Sequence, residues 1–248
     1  MGESAFRLRI KPIWLGLKMK LNQFFFLLLI IGFLSIQSSA QSSQQGKELT
    51  SDEGDLFIQQ MAEALKTRES MQVNFVQERH FSVFLEPLIS KGICFFREPD
   101  KLRWEIYESY KSILIYNNRS VAKFDFEQGR LRKLKLGSVD IMREILNQII
   151  SWMKGDFRNS SQIYEIKIYK NKDYQLRLIP KSKELLKSIK YIELNINAQT
   201  KHVTTVLIKE TETDFIQIKF SNEKDNLELA EELFDLKNPL IVSGSSGR

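Results

Sequence analysis

The chain has 248 residues, 42% of them hydrophobic and 27% charged, which excludes general disorder and allows a substantial core. Its formal charge of +6 is concentrated at the start, where five basic residues face only Glu3 within the first 40; from Gln41 onward 32 basic residues face 30 acidic ones. So small a surplus lacks the electrostatic footprint of a nucleic-acid binder, and the single cysteine, Cys94, excludes an intrachain disulfide.

Residues Phe24 to Ile36 form an apolar run after Lys18 and Lys20, followed by small residues at Ser38 and Ala40. The run falls short of the ~20 residues that a spanning helix needs, so residues 1–40 read as a cleaved secretory signal, with Met1 or Met19 as its start. No cysteine lies near the cleavage site to carry a lipid, which predicts a released, exported product. Residues 41–47 read as a polar linker, 48–240 as one domain, and 241–248 as a flexible tail.

The domain opens on a helix from Thr50, with Thr50, Ser51 or Asp52 as N-cap and Leu56, Phe57, Met61, Ala64 and Leu65 on its apolar stripe. Gly54 weakens its start. Period-two alternation follows from Val73 to Phe81. The next segment, Ser90 to Tyr107, is a hairpin reversing at Glu98-Pro99-Asp100. Its second strand alternates Leu102, Trp104 and Ile106 with Lys101, Arg103 and Glu105, whereas its first is apolar on both faces from Ile93 to Phe96. A strand apolar on both faces must be covered from both sides.

Lys111 to Asn117 and Ser120 to Phe126 make a tight hairpin around Asn118-Arg119, and Leu131 to Leu136 a weaker strand. Arg130, Arg132, Lys133 and Lys135 read as a solvated strand face or loop. From Ser138 to Lys154 the period changes to that of a helix, with Ile141, Ile145, Leu146, Ile149, Trp152 and Met153 on the stripe and Asn147, Gln148 and Lys154 off it. Gly155 sits at its C-cap and Leu136-Gly137 precede it, giving both ends backbone freedom. Strands resume at Ile163 to Tyr169, Asp173 to Ile179, Ile189 to Ile196, His202 to Lys209 and Phe215 to Phe220. Asp225 to Phe234 reads as a short helix. The total is about eleven strands at antiparallel spacing with two long amphipathic helices, an α+β domain. The helix inserted between strands is expected to cover the Ile93 to Phe96 strand or to close the concave side of the sheet.

No catalytic signature is present. The sequence lacks GxSxG and any Gly-rich phosphate loop, His80 and His202 stand apart, and Glu231-Glu232 reads as solvated. No metal, no cofactor and no enzymatic activity are expected. Phe accounts for 17 residues, and aromatics at strand spacing serve either a plain core or an apolar ligand cavity.

Phe75 and Gln77, then Pro87, Leu88, Ser90 and Gly92, then Phe96, Pro99, Leu102, Arg103 and Trp104, then Met142-Arg143, Trp152 and Gly155-Asp156-Phe157 follow in order. In these marks, from about Asp55 to Leu236, the chain resembles a divergent branch of the LolA family of periplasmic lipoprotein carriers. The resemblance implies a single-domain, curved, incomplete antiparallel β-barrel with helices as a lid over an apolar cavity for acyl chains. It also implies an inner-membrane donor complex and an outer-membrane acceptor. Candidate lipid-binding residues are Phe75, Phe95, Phe96, Leu102, Trp104, Ile106, Ile145, Ile149 and Trp152, with Arg97 and Arg103 as candidates for acyl gating or partner contact. Many members carry a basic residue immediately before the hairpin proline; here Glu98 holds that place and Arg97 lies one step earlier, a shift that changes the face of a strand. The leading reading is a monomeric periplasmic carrier of lipoprotein or lipid acyl chains. The alternative is a lipid- or protein-sensing module on the same fold.

Overall fold

A computed structural model of the protein describes residues 46–136 and 139–241, apart from the side chains of residues 139–142 and 144. The signal segment, Gly137, Ser138, the Ile141 and Met142 side chains and the tail beyond 241 lie outside the described residues.

Helix α1 spans Ser51–Leu65 and is capped by Thr50: the Glu53 amide donates to Thr50 Oγ1 at 3.4 Å, and the Glu53 carboxylate accepts from the Thr50 amide at 2.9 Å. Its buried face is Gly54, Phe57, Met61 and Leu65, while Leu56 and Ala64 point to solvent, a stripe rotated from the expected one.

One sheet of 12 antiparallel strands carries the fold: β1 (Lys47–Glu48), β2 (Ser70–His80), β3 (Leu88–Arg97), β4 (Lys101–Glu108), β5 (Ser112–Asn117), β6 (Ser120–Glu127), β7 (Arg130–Leu134), β8 (Tyr164–Lys170), β9 (Tyr174–Pro180), β10 (Tyr191–Ile196), β11 (Val203–Lys209) and β12 (Phe215–Asp225). Each of the expected strands is present, and the extra one is β1, where Lys47 and Glu48 pair with Lys170 and Tyr169; two polar residues carry no periodicity from which a strand can be read. Asn118 and Arg119 both have positive φ, 47° and 61°, as the tight β5–β6 hairpin requires.

The order β1-β8-β9-β10-β11-β12-β2-β3-β4-β5-β6-β7 joins two meanders through β12 and β2. The sheet is curved and does not close. β7 is one edge and β8 lies next to the other, and the connection between them crosses the face that carries Val73, Phe75 and Phe96, the concave side. Helix α2 (Val139–Met153) and the single turn α3 (Ser160–Ile163) make that connection. Leu146 and Ile150 of α2 bury themselves against Val73, Phe75, Phe96 and Leu102, and α1 packs beside them on Leu176, Leu178 and Leu194.

The outer side of β3 is covered by something else. Asp225 to Phe234 is not a helix: β12 continues to Asp225 past an irregularity between Ser221 and Lys224, and only Glu231–Phe234 forms a 3-10 turn. The strand continues because β2 offers paired positions at Met71 and Gln72. The chain then crosses the outer face, placing Leu229, Leu233 and Phe234 on Phe95, Ile113, Ile115 and Phe124.

That strap is a core layer, since Phe234 is fully buried. Phe234→Ala should cost about 3–5 kcal/mol in urea unfolding; a loss under about 1 kcal/mol would mean the strap only lies on the surface.

Candidate apolar binding cavity

The register of the β3–β4 hairpin decides which side chains face inward. Gly92, Cys94 and Phe96 pair with Ile106, Trp104 and Leu102, and all belong to the concave face. Phe95 and Arg97 pair with Arg103 and Lys101 and belong to the outer face. Opposite Gly92 stands Phe75, whose ring lies so close that a Cβ on residue 92 would come within 2.1 Å of it. Only glycine lets Phe75 lie flat there and stack on Trp104 with ring centroids 4.0 Å apart.

Between the sheet and α2 lies a cavity of about 200 Å³. Trp104, Ile145, Ile149 and Trp152 line it, with Val206, Ile218 and Phe220 from strands β11 and β12. Phe75 supports Trp104 from behind, and Phe96, Leu102 and Ile106 belong to the same core without lining the cavity. Phe95 is turned away, buried under the strap. The alternation in β11 and β12 does not by itself say which face is concave, so only the fold assigns Val206, Ile218 and Phe220 to the cavity.

Arg97 and Arg103 also lie away from the cavity, since both share the parity of Phe95. Arg103 is fully buried, paired with Glu105 at 2.6 Å and donating to the carbonyls of Leu233, at 2.8 Å, and Leu240. Arg97 donates to Leu229 O at 2.8 Å and pairs with Glu231. Both fasten the strap, which satisfies their charges on the outer face.

The charged groups at the cavity come from elsewhere. Arg68, just before β2, is 5% exposed and pairs with Glu223 at 2.7 Å and Asp225 at 3.0 Å, and it donates to Met153 O, at the end of α2, at 2.9 Å. His202 meets the same carboxylates at 3.3 and 3.2 Å. No spacing rule links residues 68, 202, 223 and 225; tertiary pairing alone assembles them. Burial pushes the Glu223 carboxyl up to about 7, with Asp225 adding to the effect and Arg68 opposing it. Burial and Arg68 push the His202 imidazole down, against the pull of Asp225. The ligand atoms of His202, Glu223 and Asp225 lie within 4.8 Å of one another, but the Arg68 guanidinium already supplies the cation, and a metal ion would have to displace it.

The sequence model of the family described as outer membrane lipoprotein carrier protein LolA matches residues 66–237. The chain belongs to the LolA family. No curated protein matches it. Among solved structures it is similar to the MucA/MucB complex of Pseudomonas aeruginosa at 15% identity and TM-score 0.43, covering 74% of this chain and 60% of that one. It thus spans less than two thirds of that relative. It is similar to lipoprotein LppX of Mycobacterium tuberculosis at 11% identity and TM-score 0.42, covering 73% and 100% of the two chains. A LolA superfamily protein from Nitrosomonas europaea matches at 10% identity and TM-score 0.35, covering 72% and 97%.

In this LolA-family chain the residue before the hairpin proline, Glu98, pairs with Lys154 at 2.8 Å, so an acid at the hairpin meets a base at the end of α2. Gly155 closes that end in a Schellman motif, with φ +71° and bonds from Gly155 N to Trp152 O and from Asp156 N to Ser151 O. A Cβ on Gly155 would lie 2.9 Å from Met61 O of α1. The C-terminal end of α2 is therefore pinned by Arg68, Glu98 and α1, and Gly155 serves as a fixed contact there rather than as slack.

The Glu223 shift carries a sign. Its folded pKa exceeds the ordinary 4.5, so the stability it contributes is fully present below that value and is lost as pH rises through about 7. Glu223→Gln keeps the neutral form throughout, so its stability relative to wild type should improve from pH 5 to pH 8 in urea melts; a constant difference would place Glu223 in an ordinary solvated setting. His202, with its lowered pKa, contributes the opposite slope below 6.5, which both proteins share.

Proposed function

We propose that this protein is a periplasmic carrier that shelters acyl chains of lipoproteins or lipids in the cavity under α2 and passes them toward the outer membrane. The observation that carries the reading is an apolar cavity between the concave sheet and α2 in a LolA-family chain. The family description names lipoprotein carriers, and among the described residues no helix is long and apolar enough to cross a membrane. A binding role rather than an enzymatic one fits the charged groups lining the cavity, which are engaged with one another or with backbone. An inner-membrane donor complex and an outer-membrane acceptor would bracket the transfer, with residues 1–40 as the export signal and a monomer as the working unit.

Burying acyl chain is worth about 0.8 kcal/mol per methylene, so a single chain supplies useful affinity. The cavity of about 200 Å³ is smaller than the ~300–1,000 Å³ of common ligand pockets. Uptake of a full chain therefore requires α2 to move out, pivoting about its pinned C-terminal end. Donor and acceptor act by binding the cargo or the opened state more tightly.

Mass spectrometry of the purified mature protein should find co-purified acylated lipid. Trp104→Ala should lower lipid bound per folded molecule at least several-fold, and unchanged occupancy would return Trp104 to a plain core role. A disulfide tying α2 to the sheet should leave the fold intact, block lipid uptake and be reversed by reduction. Undiminished uptake in the fully cross-linked protein would remove the lid from the mechanism.

A further inference from the structure

The polar groups that line the cavity divide into two sets. The charged ones are taken. Arg68 spends its donors on Glu223, Asp225 and Met153 O, and Glu223 is held between Arg68 and His202. Lys201 donates to Ala198 O at 2.6 Å with its ammonium over the Phe57 and Tyr174 rings. The neutral ones are open. Gln148 projects from α2 beside Ile145, Ile149 and Trp152, and its amide has no hydrogen-bond partner among the described residues. Tyr164 lines the same cavity and is 6% exposed, and its hydroxyl has no partner there either. Its pKa is raised by burial alone, with no hydrogen bond opposing it.

Gln148 is half-buried and Tyr164 buried, and the fold leaves the hydrogen-bonding capacity of both unused on an otherwise apolar wall. A plain hydrophobic cavity would be better lined by Leu and Phe at these two positions. Both groups are neutral donors, suited to a carbonyl oxygen. The cations at the cavity, Arg68 and Lys201, are already engaged with Glu223, Asp225 and backbone carbonyls.

We propose that Gln148 and Tyr164 recognise the carbonyl groups that join acyl chains to their head, making the cavity selective for ester- or amide-linked acyl lipids over ether lipids of the same chain length. The proposal rests on the carrier reading and adds the chemical class of its cargo. Gln148 enters it through the tertiary structure, since the helical pattern sets that residue off the apolar stripe. On the helix it flanks Ile145 and Trp152, where the wall of the cavity curves around α2.

The test uses the mature protein with two fluorescent probes of equal chain length, a diacylglycerol and its dialkyl ether analogue. One neutral hydrogen bond is worth about 0.5–1.5 kcal/mol net, or roughly 2–10-fold in affinity. Wild type should therefore bind the diester at least several-fold more tightly than the diether. Gln148→Leu and Tyr164→Phe should each shrink that preference, and the double variant should abolish it, while diether binding stays the same or improves. Equal wild-type affinity for the two probes, or a preference that survives the double variant, overturns the proposal and leaves the carrier reading standing. Failure of wild type to bind either probe overturns both. Tyr164→Phe removes only the hydroxyl, so a result from it does not depend on whether Gln148→Leu folds.

Discussion

Strand β3 must be covered on both faces, and much of the architecture follows from that requirement. Cys94 and Phe96 on one side and Phe95 on the other are all buried. A sheet that exposed either set would lose about 25 cal/mol for each Å² of apolar surface left in water. Two coverings answer this. The concave side receives α1 and α2; the outer side receives the strap after β12. The strap is an extended chain, so its carbonyls need partners, and Arg97, Arg103, Asn117 and Lys133 on the sheet donate to Leu229, Leu233, Phe234 and Leu236. The fully buried Arg103 is tolerable because Glu105 and those carbonyls satisfy it.

The concave covering differs in kind. The strap seals a flat face with aromatic packing, whereas α2 spans between the two sides of an open sheet and cannot follow its curvature everywhere. Where it stands off, the wall is made of Trp104, Ile149, Trp152 and Phe220 with space between them. Polar contacts hold α2 at its C-terminal end through Arg68 and Glu98, while Asn147 and Arg143 reach Tyr116 and the Arg119 carbonyl of the β5–β6 hairpin. The helix is thus held by a handful of polar contacts and an apolar stripe.

The cluster of Arg68, His202, Glu223 and Asp225 joins one guanidinium and one imidazole to two carboxylates at the cavity. Its carboxylates outnumber its permanent cation, and burial raises the Glu223 carboxyl so that it titrates at about 7. The same interactions that fasten the end of α2 therefore respond to protonation. This couples the cavity wall to the charge state of residues far apart in sequence.

Much was legible from residues alone. The alternation of Leu102, Trp104 and Ile106, the helical stripe from Ile145 to Met153, and the doubly apolar Ile93 to Phe96 run gave strands, helix and the need for two covers, because period and polarity are local properties of the chain. The identity of the covers was not local. That α2 takes the concave side and the strap the outer one depends on which parity of β3 faces inward, which the register with β2 and β4 decides. The same register sent Phe95, Arg97 and Arg103 away from the cavity and brought in Val206, Ile218 and Phe220. Gln148, off the apolar stripe in sequence, lines the cavity in the fold beside Ile145, Ile149 and Trp152. Arg68 and Glu223, 155 positions apart, met only because β12 pairs with β2, a long-range contact on which no spacing in the sequence reports.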